Sequence, residues 1–507
     1  MLLSAATRFR FPWFPPAMAP YSLLQSQRPT LYSSRRKFFA IAAVLLSILI
    51  ASSLWYKDDT LCQLSIRIPT CTSQKAAASP QTFVHQNIVV ASVFGFHFDV
   101  WLALVWTIQR VLKGHGHVQV YGDVPFAYDF DTILDRLGLY HGSIKDPAEL
   151  MNDIRRNTAI DLVIFGTCSV DLRHWHDELL AAWDARDDDH KFQLACTPHH
   201  QAELGWHPLI TPWARRNSIR LLPISKHVGG AFRKEFKDLG GSLDPKLHSA
   251  GLGLVPIDTH VPILDLPHLP DKSGRHVLIN AVIQGSFAED RRSYPYTFEN
   301  LIRSLHENPT SWGYRPLGDG PSFIPDTTLV DPPFKLHLVG SGWIDLPPQL
   351  KNVVEFHVSL NYSQYYDVMA EMDVCVPAFG PSDEYYALQA SSTVAMCLEV
   401  NVPILATPRM REAYTHIDDD RVSIAYPSVM TEIDAIIALR TQSAATFLAS
   451  DPSKLGRTMG SNAAVQQAVE QMMAKGWVRS KKGFEATKSE IWAANEDVVK
   501  KILLGLP

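Results

Sequence analysis

Cysteine is scarce in this chain, with 6 in 507 residues. No pair has a Cys-x-x-Cys or zinc-finger spacing, which excludes the small zinc modules and thioredoxin-type redox motifs. Cys62 and Cys71 lie close together and are expected to pair only in an oxidising compartment. Cys168, Cys196, Cys375 and Cys397 fall in apolar runs and read as buried thiols, so no disulfide framework is expected. Internal repeats at solenoid periods are absent, which excludes a repeat array. Basic charge is lacking too. The net charge is −5, and the first 56 residues hold six cations (Arg8, Arg10, Arg28, Arg35, Arg36, Lys37) and no acid, so the remainder carries −11. An acidic body of that kind excludes nucleic acid as a bulk electrostatic partner.

Only Phe38–Tyr56 is long, uncharged and apolar enough to cross a hydrocarbon core of about 30 Å. Arg35, Arg36 and Lys37 precede it, so the positive-inside rule places the N-terminus in the cytosol and the body beyond the membrane. The run lies deep and lacks a small-residue cleavage site, and it reads as a signal anchor rather than a removed signal peptide. The expected location is a single-pass type II protein of the Golgi or ER with a lumenal body. The alternative is a mitochondrial presequence followed by an inner-membrane anchor, which the Arg- and Ser-containing, acid-free first 37 residues allow. One glycosylation triplet occurs, at Asn361.

What is present is an alternation of short apolar runs with helix-length intervals. Residues 87–93, 118–121, 162–165, 192–196 and 219–223 read as buried strands, with helical patterns at about 100–112 and 130–137. A second series begins at 276–282 and continues at 334–339, 353–356, 374–376, 404–406 and 422–425. Helices are expected at 296–306, 430–449, 462–475 and 485–503, and 308–333 reads as a surface insertion. Strand-helix alternation of this kind specifies parallel, doubly wound sheets. The division is therefore 1–37 tail, 38–56 transmembrane anchor, 57–85 stem, 86–262 first Rossmann-like domain, 263–275 linker, 276–450 second Rossmann-like domain and 451–507 C-terminal helices. Two such domains on one linker leave a cleft between facing strand ends, where these sheets bind ligands.

Residues 353–408 are the most informative stretch. Two buried-strand runs, Val374–Pro377 and Val402–Ala406, flank a loop rich in Gly, Pro, Ser and acid, then Ser391, Ser392 and Thr393 opening a helix. Hydroxyls and free N–H groups at a helix N-terminus on the strand C-terminal side suit a phosphate.

Four fragments in order resemble one family: Leu254–Thr259 (LVPIDT), Leu336–Gly342 (LHLVGSG), Ser363–Pro377 (SQYYDVMAEMDVCVP) and Asn401–Thr407 (NVPILAT). Over roughly 87–440 the chain resembles the retaining, nucleotide-sugar-dependent group 1 glycosyltransferases of the GT-B fold. That resemblance implies two Rossmann-like domains facing a cleft, a nucleotide-sugar donor in the second domain, and a glycan, protein or lipid acceptor in the first. It implies retaining transfer in which the leaving diphosphate itself helps to deprotonate the acceptor; no cofactor is expected beyond the nucleotide sugar, and no metal is required because no set of metal ligands at useful spacing appears. The family's pair of glutamates is missing, since Leu388 and Met396 stand at the ungapped positions, and Asp383, Glu384 or Glu399 is the substitute. Counted from Gly285, the family's basic pair becomes Ser286 and Arg291, with Arg292 beside it.

The candidate donor-binding residues are Gly285, Arg291, Arg292, Gly340, Gly342, Asp383, Ser391, Ser392, Thr393 and Glu399. Arg suits bidentate phosphate contact, and the glycines let the backbone approach a base or ribose. The candidate catalytic residues are His97, His199 (with His200 beside it) and Glu384. Asp129-Phe130-Asp131 is expected to cap a helix rather than bind metal, and His174-Trp175-His176 and Asp187–Asp189 lack a further ligand at useful spacing. A catalytically silent module that binds a glycan or partner is the alternative that the missing glutamates motivate, and a nucleotide-sugar epimerase is a third.

Overall fold

The protein is described by a computed structural model over residues 83–202, 207–248, 250–318, 320–380, 382–451 and 457–506. The expected tail, the Phe38–Tyr56 anchor, most of the stem, Cys62 and Cys71 lie outside the described residues. Among the described residues no helix is long and apolar enough to cross a membrane.

The apolar runs form two six-stranded sheets, parallel throughout. The first contains β1 (Asn87–Ala91), β2 (His117–Tyr121), β3 (Ile144–Lys145), β4 (Leu162–Phe165), β5 (Gln193–Cys196) and β6 (Ile219–Leu221), in the order β3-β2-β1-β4-β5-β6. β4 (LVIF) is buried at every position, because helices cover both faces of the sheet. The second is built from β7 (Asn280–Phe287), β10 (Lys335–Gly342), β11 (Val354–Val358), β12 (Val374–Cys375), β13 (Ile404–Ala406) and β14 (Ser423–Ala425), in the order β11-β10-β7-β12-β13-β14. β8 (Tyr314–Pro316) and β9 (Phe323–Pro325) form a separate antiparallel hairpin. Each large sheet reverses its winding beside its central strand, β1 or β7, and such reversals open ligand crevices at strand C-termini. The expected pair of doubly wound α/β domains, the arrangement of a GT-B fold, is what the two sheets form.

Both sheets belong to one compact unit, Gln81–Pro507. A single apolar cluster runs from one to the other, taking in Val90 and Ile164 of the first sheet, Val261–Leu266 of the connection, and Val282, Val339 and Cys375 of the second. The chain from 255 to 279 holds no helix or strand beyond a lone bridge of Ile257 to Leu221.

Several expectations need correction. The two halves are not held by the linker alone. The Lys481–Leu503 helix returns from the second half, where Trp492 donates to the Ile263 carbonyl at 3.0 Å and Asn495 bonds both the N–H and the carbonyl of Val261 at 2.9 and 2.7 Å. The same helix reaches the first sheet's Phe98–Leu112 helix through Arg110–Glu496 at 2.8 Å and a Trp106–Trp492 edge contact at 5.7 Å.

The first strand of the second sheet starts later than expected. The Asp373 carboxylate takes the Ile279 and Asn280 amides at 2.7 and 2.9 Å and so sets the point at which β7 begins. The 308–333 insertion is anchored, with Trp312, Tyr314 and Phe323 buried and Arg440 donating to the Ser311 and Pro332 carbonyls.

The four described cysteines are paired, Cys168 with Cys196 and Cys375 with Cys397. Cys168 follows β4 and Cys196 ends the adjacent β5, so neighbouring strand ends bring together residues 28 apart in sequence. Apolar surroundings suit a buried thiol and a buried disulfide equally, which is why composition alone misleads here. Asp129 stands at the start of the Phe130–Leu137 helix without capping its backbone; its carboxylate accepts from the Thr132 hydroxyl at 2.9 Å instead.

Candidate functional site

A cavity of about 410 Å³ opens between the strand ends of the two sheets. Its second-sheet wall is built around Arg292, which follows β7 and is only 3% exposed. Nη2 donates to the Thr393 hydroxyl at 2.8 Å, the Gln284 carbonyl at 3.2 Å and the Ser391 hydroxyl at 3.4 Å. The guanidinium carbon lies 5.2 Å from the Phe379 ring centre and 5.1 Å from that of Tyr385. Among the described residues Nε and Nη1 have no hydrogen-bond partner and Arg292 makes no ion pair. Burial lowers its pKa, as desolvation must for an unpaired cation. A buried charge with two free donors at a cavity wall is costly until an anion takes them.

The Ser392–Glu399 helix points its N-terminus into the same cavity, with Ser391 and the exposed Ser392 on the wall. Its first N–H groups have no intrahelical acceptor and add to the positive potential. Beside it, Gly285 and Gly340 form a bare backbone wall where β7 and β10 pair. A Cβ on Gly340 would stand 1.8 Å from the Gly285 carbonyl oxygen, so the approach demands glycine. Arg291 lines the opening from the solvent side.

The first-sheet wall carries two stacked imidazoles. His97, in the loop after β1, lies 4.2 Å from His199 at an interplanar angle of 18°. His199 Nε2 donates to the Gly166 carbonyl at 3.2 Å. Burial pushes His199 down to about 4, and burial together with the His199 ring holds His97 well below its ordinary value. Both rings are therefore neutral near pH 7. His97 Nδ1 is buried with no hydrogen-bond partner among the described residues.

Asp99, in the first turn of the following helix, is the sole carboxylate on the cavity wall among the described residues. Burial raises it to about 6, which leaves it ionised but more basic than an ordinary carboxylate at neutral pH. The sequence reading took His97 from this loop and passed over Asp99, two residues on. The signal was its place beyond the mouth of the first strand, in the first turn of the helix that leaves the loop facing the crevice.

The cavity thus gathers His97, His199, Gly285, Arg291, Arg292, Gly340, Ser391 and Ser392. It does not gather the others. Thr393 is fully buried behind Arg292 and positions it, donating in turn to Gln284 Oε1 at 2.8 Å. Neither Ser391 nor Thr393 caps the helix backbone. Gly342 sits past the wall, its Cβ direction meeting Phe287. Asp383 is 72% exposed and paired with Arg409 at 2.8 Å. Glu384 is exposed at the start of the short helix Glu384–Ala387, whose Tyr385, and not Glu384, lines the cavity. Glu399 is buried at the far end of its helix, taking the Leu264 amide at 2.8 Å and the Tyr366 hydroxyl at 3.2 Å. Burial and the nearby Asp99 charge push Glu399 up to about 8, so it holds the linker rather than a ribose. Met396, at an expected glutamate position, does line the cavity, but offers only a thioether.

No protein-family model matches the chain, and no curated protein matches its sequence. Among solved structures it is similar to a glycosyltransferase from Rickettsia africae ESF-5, at 11% identity and TM-score 0.40 over 83% of this chain and 99% of that one. It is also similar to the apo form of the lipopolysaccharide outer core galactosyltransferase WaaB, at 10% identity and TM-score 0.40 over 80% and 99% of the two chains. A third is an alpha-glucosyltransferase in complex with UDP and a 13-mer DNA containing an HMU base, at 10% identity and TM-score 0.43 over 81% and 100%.

Proposed function

We propose that this chain is a glycosyltransferase that moves a sugar from a nucleotide-sugar donor to a hydroxyl of a glycan, protein or lipid. The observation that carries the proposal is Arg292, a buried cation with unpaired Nε and Nη1 at the cavity wall. A sugar diphosphate supplies the missing anion. Its oxygens take the Arg292 fork and the N–H groups at Ser392, while the nucleoside lies along the Gly285–Gly340 backbone. As the anomeric C–O bond breaks, negative charge grows on the diphosphate, and donors already in place stabilise it without reorganising.

The acceptor enters from the first-sheet wall. Asp99 accepts the hydrogen bond of the attacking hydroxyl and orients its oxygen toward the anomeric carbon. His97 and His199, being neutral, hydrogen-bond sugar hydroxyls without competing for the diphosphate. The new C–O bond forms as the old one breaks, and the proton passes to the leaving diphosphate. Retention of anomeric configuration follows from the family resemblance, and independence from metal from the lack of a further ligand at useful spacing in the sequence. The body is lumenal, behind the Phe38–Tyr56 anchor. The two buried disulfides support an oxidising compartment.

The experiment is a donor panel. Full-length protein in detergent is incubated with UDP-, GDP- and ADP-sugars, with thermal shift and donor hydrolysis as readouts. One nucleotide class is expected to raise the melting temperature and to be slowly hydrolysed. Absence of any shift at millimolar donor overturns the proposal. Binding with no turnover toward any acceptor favours the silent module, for which the exposed positions of Asp383 and Glu384 speak.

A further inference from the structure

We propose that His337, His357 and Glu355 form a binding site for a zinc-class divalent transition metal on the outer edge of the second sheet. Sequence spacing conceals it, because the ligands come from two paired strands. In the β10–β11 register His337 stands opposite Glu355 and Val339 opposite His357. The three side chains therefore share one face of the sheet, the alternation along each strand putting residues two apart on the same side.

Their ligand atoms converge. His337 Nδ1 lies 2.9 Å from His357 Nε2, and His357 Nε2 lies 3.7 Å from Glu355 Oε1. One donor atom from each of the three falls within 4.8 Å of the other two. In a tetrahedral site with metal–ligand bonds of about 2.0–2.1 Å, ligand atoms stand roughly 3.3 Å apart, and the two shorter separations bracket that edge.

The surroundings also fit. His337 is 8% exposed, and its Nε2 faces Asn280 Oδ1 at 3.2 Å on β7. An amide oxygen can only accept, so Asn280 fixes the proton on Nε2 and leaves the Nδ1 lone pair aimed at the site. This is the outer-shell hydrogen bond that metal-bound imidazoles carry. Without metal, His357 Nε2–H donates to that lone pair. A bound ion replaces the shared proton and draws in Glu355, which is exposed on the edge strand and free to turn. Two imidazoles and one carboxylate suit Zn²⁺ and poorly suit Mg²⁺ or Ca²⁺, which take oxygen ligands. Three protein ligands leave a fourth position for water or an incoming group. His357 lines the cavity between the two sheets, so the ion sits at its rim and fastens β11 to β10 there. The site stands independently of the sugar-transfer reading.

The test is zinc titration of full-length protein in detergent, stripped with a chelator and desalted, against a chromophoric indicator. One equivalent is expected to bind. Affinity should fall at least about 100-fold in His357→Asn and in Glu355→Gln, and about 10-fold in Asn280→Ala. Co²⁺ in place of Zn²⁺ should give the visible absorption of a four-coordinate site in the wild type alone. Melting in chelator checks that His357→Asn folds; Glu355→Gln, at an exposed position, serves where it does not. No equivalent bound by the wild type, or binding unchanged in the folded variants, overturns the site and leaves a hydrogen-bonded ladder.

Discussion

The two large sheets share one winding order and differ in what they bring to the cleft. The first, around β1, offers His97, His199 and Asp99, groups that are neutral or weakly acidic and suited to hydroxyls and protons. The second, around β7, offers Arg292, the Ser392 helix terminus and the Gly285–Gly340 backbone, all suited to an anion. The same backbone thus carries two chemistries, and the division of labour lies in the loops after the strands. That is why strand patterns show the fold early and leave the site to be read residue by residue.

Each half also carries its own disulfide, and removing them separately is the strongest way to break the comparison. Cys168→Ser with Cys196→Ser should cost about 3 kcal/mol of stability, from a closed loop of this length, and leave donor affinity unchanged. Cys375→Ser with Cys397→Ser should cost a similar amount and weaken donor binding as well, because Cys397 lies on the helix that presents Ser391 and Ser392. Denaturant melts and donor titration of both pairs check this. Equal effects on donor affinity would mean that the halves do not divide the work.

Asp99 tests the first half next. Asp99→Asn should lower kcat/KM about 100-fold, the size expected when a reacting group loses its orientation, with the donor's Kd unchanged. Asp99 is a strong, charged acceptor for the attacking hydroxyl only when ionised, so the wild-type rate should fall as pH drops through about 6. That limb should vanish in the variant.

Glu399 probes the connection between the halves. Its carboxyl is raised from 4.5 to about 8 in the folded protein. The folded state therefore holds a proton that the unfolded chain releases, and this contribution to stability is complete below about pH 4.5 and is lost as pH rises to about 8. Glu399→Gln keeps an acceptor for the Leu264 amide and removes the titration. It should gain on the wild type by on the order of 2 kcal/mol by about pH 6, read from melts across the pH range.

The smallest effect should come from Thr393→Val. It preserves shape but removes the hydroxyl that receives Arg292 Nη2 at 2.8 Å. A loss of about tenfold in donor affinity, the worth of one hydrogen bond to a charged group, would place Thr393 as a positioning residue.

The fold was legible where burial is complete. LVIF at β4 and ILA at β13 read as strands because both faces of a parallel sheet are covered. The helix over 463–475 was legible from its periodicity, whereas the Lys481–Leu503 helix starts four residues before its apolar pattern does, at the Ser480 cap. The Cys168–Cys196 pair was hidden because adjacency of β4 and β5 is a property of strand order and not of sequence. Within the site, Arg292 and Ser391 were legible as residues that follow a strand or open a helix. Glu399 misled because a helix of 8 residues turns its last carboxylate far from the end that meets the cleft. Arg292 and Arg291 look alike in sequence, and only the structure shows one buried against Phe379 and Tyr385 and the other exposed.

The most direct measurement is calorimetric titration of the full-length protein with UDP, GDP and ADP, comparing wild type with Arg292→Ala and Arg291→Ala. One diphosphate should bind the wild type. Arg292→Ala should weaken it by about 100-fold or more, consistent with loss of a desolvated charge-assisted contact, while Arg291→Ala should weaken it severalfold at most because its charge is solvated. Undiminished binding in Arg292→Ala, with the protein still folded, would contradict the assignment of the cleft's second-sheet wall to the donor diphosphate.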